Sequence, residues 1–234
     1  FNMRMPEEIN RILADRVSSL LFCPTETAVN NLKAEGISKG VHNVGDVMYD
    51  VSLFYRDRAR QQSIIQETLK LVQGGFALTT CHRAENTDDP KRLGEILSAL
   101  AIVARHLPVV LPLHPRTRKL IGEYGLSHHL AALIVTEPLP FLDMVALEQA
   151  ARLILTDSGG VQKEAFFYSV PCITMRDETE WVETVDLGWN RLVGASSDSI
   201  LTAVTEIVEN LGQTEKSTPY GRGNAASEII AYLV

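Results

Sequence analysis

Thr156-Asp157-Ser158-Gly159-Gly160-Val161-Gln162-Lys163-Glu164 follows the apolar run Leu153-Ile154-Leu155 and leads into Ala165-Phe166-Phe167. The order is a buried strand, a hydroxyl-and-glycine turn, then the start of a helix. A helix start leaves backbone N–H groups unpaired and carries partial positive charge, so it suits an anion. Gly159 and Gly160 let a phosphate approach the backbone closely. Ser158 reads two ways, as the cap of the helix or as a hydrogen-bond donor to a ligand. Glu164 lies four residues beyond Gly160, one helical turn in and on the same face. A carboxylate there repels phosphate but accepts hydrogen bonds from sugar hydroxyls. A nucleotide's diphosphate at the turn and its ribose at Glu164 fit this pattern. Simple capping by Ser-Gly fits it as well.

The 234 residues suit one large domain or two small ones. A hydrophobic content of 45% and a charged content of 22% are those of a globular protein. The net charge of −7 argues against nucleic acid as a partner, because phosphate backbones call for a basic surface. Phosphate recognition is therefore expected to be local. Three widely spaced cysteines, Cys23, Cys81 and Cys172, indicate neither a disulfide framework nor a zinc site and fit a reducing cytoplasm. No apolar run approaches the roughly 18 residues of a membrane span, and no signal peptide opens the chain. Phe1 is not an initiator methionine, which suggests a piece of something longer.

From residue 76 onward, short apolar runs alternate with amphipathic helical patterns. Strands are expected at 76–80, 108–113, 133–135, 152–156, 171–175 and 191–193. Helices are expected at 90–106, 117–124, 141–151 and 199–211, and after the Ser-Gly-Gly turn. In the helix from Phe141, Met144, Val145, Leu147 and Glu148 suggest one apolar and one polar side. This alternation implies right-handed crossovers and a parallel sheet covered on both faces. Ligands on such sheets bind beyond the carboxyl ends of the strands. The polar clusters at 80–86, 114–116 and 157–164 fall there.

The first seventy residues differ. A helix over 6–17 has Ile9, Ile12, Leu13 and Val17 on one face; strands at 20–23 and 41–45 flank a helix from Thr25 to Gly36. A long helical pattern covers 46–72, and a turn at 218–226 precedes a last helix to Leu233. Two strands are too few for an independent doubly wound sheet. Residues 1–45 therefore read as closing elements of a preceding domain, 46–215 as a nucleotide-binding domain, and 216–234 as a terminal helix packing back on the first part.

Thr80-Cys81-His82-Arg83-Ala84-Glu85-Asn86 ends the first strand of the larger domain. His82 and Arg83 suit a diphosphate, with Glu85 and Asn86 holding them in place; the alternative is a polar loop capping the next helix. Leu113-His114-Pro115-Arg116 occupies the equivalent place after the next strand, where Pro115 biases His114 towards an extended conformation. A purely structural histidine fits equally well. Arg176-Asp177-Glu178-Thr179-Glu180-Trp181 is a charged loop after another strand, whose aromatic either stacks on a ring or packs. Glu7 and Glu8, in the first turn of the first helix, read as dipole-favoured residues.

Taken together, these segments resemble the non-hydrolysing UDP-N-acetylglucosamine 2-epimerases over the whole chain. The resemblance rests on Phe1-Asn2-Met3-Arg4-Met5-Pro6-Glu7-Glu8-Ile9-Asn10-Arg11, Phe22-Cys23-Pro24-Thr25-Glu26 and Val44-Gly45-Asp46-Val47-Met48. It continues through His82-Arg83-Ala84-Glu85-Asn86, Thr156-Asp157-Ser158-Gly159-Gly160, Arg176-Asp177-Glu178-Thr179-Glu180-Trp181 and Gly188-Trp189-Asn190-Arg191. It implies an α/β fold, a Rossmann-like doubly wound parallel sheet forming one half of a glycosyltransferase-B-like two-domain architecture. It also implies inversion at C2 of UDP-GlcNAc to UDP-ManNAc without metal or other cofactor. UDP leaves C1 as the C2 proton is removed, giving a 2-acetamidoglucal, and then adds back. Such a cycle needs carboxylates with tuned proton affinity and a firm hold on the departed UDP.

By this resemblance His82 matches the histidine near the diphosphate, and Ser158 and Gly160 match the pyrophosphate turn, with Gly159 between them and Arg83 beside His82. Glu164 matches the ribose-binding glutamate, and Glu7 one of the catalytic carboxylates. His114 and Arg116 match loosely a region where some bacterial members hold a second, allosteric UDP-GlcNAc. Trp181 stands where some members carry a ligand-contacting arginine. The family's other catalytic carboxylates lie upstream of Phe1, so the 234 residues are expected to bind UDP weakly without epimerising. A homodimer is expected for the full-length protein. Rival functions are hydrolytic release of free ManNAc, epimerisation of a related UDP-sugar such as a 2,3-diacetamido uronic acid, glycosyl transfer, and non-catalytic UDP-sugar binding.

Overall fold

The structure is a computed structural model in which residues 6–209 and 217–234 are described. Two compact units are present. The smaller takes in the described residues up to Leu53 together with Ser217–Val234, and the larger begins at Phe54. The division falls inside the helix Val47–Gln62.

In the smaller unit, strands β1 (Leu21–Cys23) and β2 (Val41–Asn43) pair in parallel, joined by the helix Glu26–Ala34. Thr25 caps that helix, its hydroxyl accepting from the Ala28 N–H at 3.3 Å. The first helix, Pro6–Val17, is tied to it by Arg11, whose guanidinium reaches Glu35 at 2.9 Å while also pairing with Glu8 and Asp15. The apolar face expected of this helix stays open: Ile9, Leu13 and Val17 are all exposed. The last helix, Ala225–Leu233, joins the same unit through Asp50, whose carboxylate accepts the N–H groups of Ala225 and Ala226. Its Tyr232 ring stacks 4.0 Å from the His42 ring. Gly45 has φ +84, and a Cβ there would lie 2.9 Å from the Tyr220 carbonyl oxygen, so only glycine fits.

In the larger unit, strands β3 (Ala77–Thr80), β4 (Val109–Pro112), β5 (Ile134–Thr136), β6 (Leu153–Thr156), β7 (Cys172–Thr174) and β8 (Asn190–Leu192) form one sheet. Every pairing is parallel, in the order β5-β4-β3-β6-β7-β8. The chain winds outward one way from β3 to β5 and the other way from β6 to β8, so a switch point lies between β3 and β6. Alternate residues feed opposite faces, as the pleat requires. Ala77, Val109, Leu111, Leu153, Leu155 and Ile173 join a core under the helices Pro90–Val103 and Ser197–Glu209. Leu78, Val110, Ile154 and Cys172 join the core on the other side, with Val145, Leu147, Val161 and Ala165 from the helices Phe141–Ala150 and Gly159–Phe167. Both faces are covered, which explains why the strands read as continuous apolar runs.

The helical pattern over 46–72 is not one helix. It breaks after Gln62, because the Ser63 hydroxyl donates to Asp143 at 2.5 Å and accepts the Ile65 N–H; a short helix, Ile65–Thr68, follows. Further short helices unread in the sequence occupy Ala84–Thr87 and Val182–Asp186, with a 3-10 helix at Ser127–Ala132. Among the described residues, no helix is long and apolar enough to cross a membrane.

Candidate functional site

Strands β3 and β6 end side by side, Thr80 opposite Thr156, and their buried hydroxyls share a hydrogen bond of 2.6 Å. Beyond them the two loops are joined by Asp157. Its carboxylate, fully buried, accepts the backbone N–H of His82 at 3.1 and 3.0 Å and that of Arg83 at 2.9 Å. The Asn86 amide adds a fourth contact at 3.3 Å and also donates to the Met175 carbonyl at 2.8 Å. A carboxylate so surrounded by donors is satisfied as an anion without exposure. The His82 imidazole, 44% exposed, has its Nδ1 3.7 Å from the same carboxylate.

Ser158 begins the helix Gly159–Phe167, yet its side chain makes no capping hydrogen bond. Its backbone N–H donates to the Thr156 hydroxyl at 2.9 Å instead. The capping alternative is thereby corrected: Thr156 holds the turn, and the Ser158 hydroxyl is not spent on the helix. The N–H groups of the helix's first turn have no partner within it. Arg83, Glu180 and Trp181 surround Gly159. A Cβ on Gly159 would lie 3.1 Å from the Trp181 Nε1, 3.7 Å from Glu180 Oε2 and 3.8 Å from Arg83 Nη2. Glycine is needed here for close approach.

Arg176 organises the third loop. It is 1% exposed and grips both Glu180 oxygens at 3.0 Å while donating to Glu85 at 3.1 Å. Burial works to raise the Glu180 carboxyl, but the Arg176 hydrogen bonds and charge, with Arg83 adding to them, hold it below its ordinary value. Glu85 therefore serves Arg176, not His82 or Arg83, and Asn86 is the residue of that pair that supports the His82 loop. Thr179 donates to Gln162 at 2.6 Å, and Asn190 donates to the same oxygen at 3.1 Å, so the loop is pinned to the glycine-started helix. Lys163, buried, places its ammonium 4.1 Å over the Trp181 ring. Trp181 thus lies at the turn without the charge of an arginine.

Glu164 is half-buried one turn into the helix. Burial raises its carboxyl above the ordinary range, with Lys163 pulling the other way. Its neighbour in electrostatic terms is Glu148, a residue expected on a polar surface but in fact 2% exposed. His114 has the extended backbone that Pro115 favours, and its Nδ1 accepts the Arg116 N–H at 3.2 Å, making it a helix cap. Arg116 donates to Thr87 at 2.9 Å and pairs with Asp88. Glu7 falls in the first turn of the helix Pro6–Val17, and its side chain, like residues 1–5, lies outside the described residues.

The structure therefore brings His82, Arg83, Ser158, Gly159 and Gly160 together at the switch point, with Glu164 one turn deeper. Sequence reading missed Asp157, Arg176 and Glu180 as organisers and Glu148 as a buried acid. The partners of Asp157 and Arg176 lie 71 to 91 residues away, apart from Glu180. A charged residue directly at the end of an apolar strand was the one local signal.

The chain is similar to known proteins. A relative from Pseudomonas aeruginosa named UDP-2,3-diacetamido-2,3-dideoxy-D-glucuronate 2-epimerase is 51% identical, over 100% of this chain and 64% of its own length. The crystal structure of Methanocaldococcus jannaschii UDP-GlcNAc 2-epimerase in complex with UDP-GlcNAc and UDP superposes with a TM-score of 0.90 at 38% identity, over 100% of this chain and 66% of that one. The Neisseria meningitidis UDP-GlcNAc 2-epimerase bound to UDP-GlcNAc gives 0.87 at 32%, with 100% and 66% covered. The chain thus spans about two thirds of these relatives' length. Its larger unit is the Rossmann-like half of their glycosyltransferase-B-like architecture. A family model described as UDP-N-acetylglucosamine 2-epimerase matches residues 1–234, and the chain belongs to that family.

Proposed function

We propose that this protein takes part in the 2-epimerisation of a UDP-2-acetamido sugar, UDP-GlcNAc to UDP-ManNAc, by elimination and re-addition of UDP at C1. The observation that carries the reading is the junction of two loops at the β3/β6 switch point, locked by Asp157. There Arg83 reaches the helix N-terminus at Gly159, and the His82 loop is tied to the same turn through Asp157. Such a junction suits a diphosphate, since fixed N–H dipoles and a cation stabilise it without a basic surface. Glu164 accepts the ribose hydroxyls. His82 is assigned to the leaving diphosphate and Glu7 to the acid–base pair. We read the smaller unit as elements of the companion domain of the two-domain architecture. A cytoplasmic homodimer is the setting we assign to the whole enzyme.

Retention of UDP is the main requirement of this chemistry. The C1–O bond breaks as the C2 proton leaves, and the free UDP must stay in place until it adds back. A rigid cradle favours that return over escape, because no reorganisation accompanies the charge that develops on the leaving phosphate.

Calorimetry with UDP tests the cradle, and incubation with UDP-GlcNAc in deuterated water tests the chemistry. Binding of UDP is expected, and deuterium at C2 accompanies any UDP-ManNAc formed. Absence of UDP binding removes the reading. Sugar transfer to an acceptor without C2 exchange replaces it with glycosyl transfer. A second substrate, a UDP-2,3-diacetamido uronate, is favoured by the relative at 51% identity. Parallel assays with the two UDP-sugars decide between them.

A further inference from the structure

Arg92 has no part in the site described so far, yet from the first turn of the helix Pro90–Val103 it reaches two of the loops that form it. Its Nε donates to the Asn86 Oδ1 at 3.1 Å, and its Nη1 donates to Asp177 at 3.0 Å. Asn86 belongs to the loop after β3 and Asp177 to the loop after β7, the same two loops that Arg176 joins through Glu85 and Glu180. Arg92 is 25% exposed and Asp177 71%, so their ion pair adds little stability. It steers the guanidinium. A Cβ on Gly194 would lie 2.8 Å from the Asp177 Oδ1, so that carboxylate keeps its place only beside a glycine. The Arg92 Nη2 is buried with no acceptor. Leaving a donor of a charged group unmet is unfavourable; the bonds to Asn86 and Asp177 impose it.

Asn86 is the partner that matters. It is 0% exposed, so bulk water does not reach its amide. Its Nδ2 faces two acceptors, the Asp157 carboxylate at 3.3 Å and the Met175 carbonyl at 2.8 Å. Its Oδ1 therefore needs a donor, and among the described residues Arg92 supplies it. Without that donor a buried carbonyl oxygen is left unmet, which costs more than the bond itself contributes. An amide turned over to escape this would aim its oxygen at the Asp157 carboxylate and withdraw a donor from it. Asp157 in turn fixes the backbone of His82 and Arg83.

We propose that Arg92 is a positioning residue for the diphosphate site: its Nε–H fixes the Asn86 amide, which braces Asp157 and through it the His82–Arg83 backbone. This rests on the reading of that loop and the Ser-Gly-Gly turn as the diphosphate cradle. Arg92 acts through Asn86, at one remove from the ligand. It keeps Arg83 in place beside the turn, where a Cβ on Gly159 would lie 3.8 Å from the Arg83 Nη2. The directional bond does the positioning, and the charge of Arg92 does not.

Calorimetry on the intact chain separates bond from charge. Glutamine carries its Nε2 at the position of the arginine Nε, so Arg92→Gln keeps the donor and loses the charge. Arg92→Lys keeps the charge and has a methylene there. Arg92→Met has neither. UDP and inorganic pyrophosphate are expected to bind Arg92→Met and Arg92→Lys about tenfold more weakly than wild type, the loss of one hydrogen bond. Arg92→Gln is expected to stay within about threefold of wild type. Uridine, which lacks the diphosphate, is followed by NMR shift perturbation and is expected to bind wild type and variants alike. Wild-type pyrophosphate affinity in Arg92→Met, a Gln variant weaker than the Lys variant, or a parallel loss of uridine overturns the role. If Arg92→Met does not fold, the Gln and Lys variants still decide. A wild-type protein that binds neither UDP nor pyrophosphate removes the cradle reading and this role with it. Wild-type binding that the substitutions leave unchanged removes the role of Arg92 alone.

Discussion

His82 donates its backbone N–H to both oxygens of the buried Asp157 carboxylate, at 3.1 and 3.0 Å, across 75 residues of sequence. This bond sets where the His82 imidazole and the Arg83 guanidinium stand relative to the Ser-Gly-Gly turn. Asp157→Ala leaves two amides and the Asn86 side chain without their acceptor in a buried place. A loss of about 2–5 kcal/mol is expected, the range for removing one partner of a buried charged network. Urea denaturation measures it, and a midpoint equal to wild type would show that the loop is held by something else.

Gly159→Ala separates the site from the fold. Alanine in a helix is favoured over glycine by about 0.5–1 kcal/mol, and the new Cβ would stand 3.1 Å from the Trp181 indole nitrogen. Trp181 must give by a few tenths of an ångström. Thermal stability is expected to change little, while the methyl narrows the space between the turn and Arg83 and weakens UDP binding several-fold. Retained UDP affinity in a folded Gly159→Ala protein would place the diphosphate elsewhere.

Arg176→Met removes the fork that holds Glu180 and Glu85. Those carboxylates are 45% and 43% exposed, so water recovers part of the loss and about 1–3 kcal/mol is expected rather than the full cost of a buried pair. Arg176→Lys does not rescue it, since an ammonium cannot make the bidentate contact. The folded Glu180 carboxyl lies below its ordinary value of 4.5. Its contribution is therefore fully present above pH 4.5 and is lost as pH falls through the lower folded value. Acid denaturation is expected to lose this component in Arg176→Met; identical acid profiles would count against the pairing.

For Glu148 the linkage runs the other way. Its folded carboxyl binds a proton more tightly than the unfolded one, so folding takes up that proton and stability falls as pH rises above the ordinary value of 4.5. Glu148→Gln has no proton to take up. Its melting temperature relative to wild type is expected to climb between about pH 5 and pH 8, the interval above the unfolded glutamate range. A difference constant across that interval would show that Glu148 titrates as an ordinary surface acid.

All three cysteines are free and buried, and their thiols are shifted away from reactivity: burial raises each, Cys172 to about 12, and the Asp157 charge adds to the effect at Cys81. The thiolate is the nucleophile. Native protein treated with iodoacetamide at neutral pH is expected to stay unmodified, and denatured protein to take up label at all three. Rapid native labelling of any one would mark an opening that the structure lacks.

The alternation of apolar runs with helical patterns in the larger unit was legible, and the strands fall within a residue or two of where the pattern puts them. Local chemistry accounts for that: buried parallel strands are short apolar runs, and Asp89-Pro90 or His114-Pro115 open helices by capping and by fixed φ. The break at Ser63 was not legible, because the partner of its hydroxyl is Asp143, 80 residues on. Glu148 was misjudged for a related reason. Helical spacing gives the angle between side chains, while the second helix that buries the polar side is a fact of packing.

The sequence by itself determined the class of fold, the strand-turn-helix at Ser158 and the residue types suited to a nucleotide diphosphate. These follow from short-range sterics, capping and burial, which act within a few residues. Only the tertiary structure decided that β3 and β6 are neighbours at the switch point and that Asp157 binds the His82 loop. It also decided that Arg176 lies buried between two carboxylates and that Glu148 is buried with its Oε2 unpartnered. Strand order and buried ion pairing depend on which distant segments pack together, and no local periodicity encodes that choice. The turn at Ser158 marks where an anion fits; the fold supplies the residues that hold that place in shape.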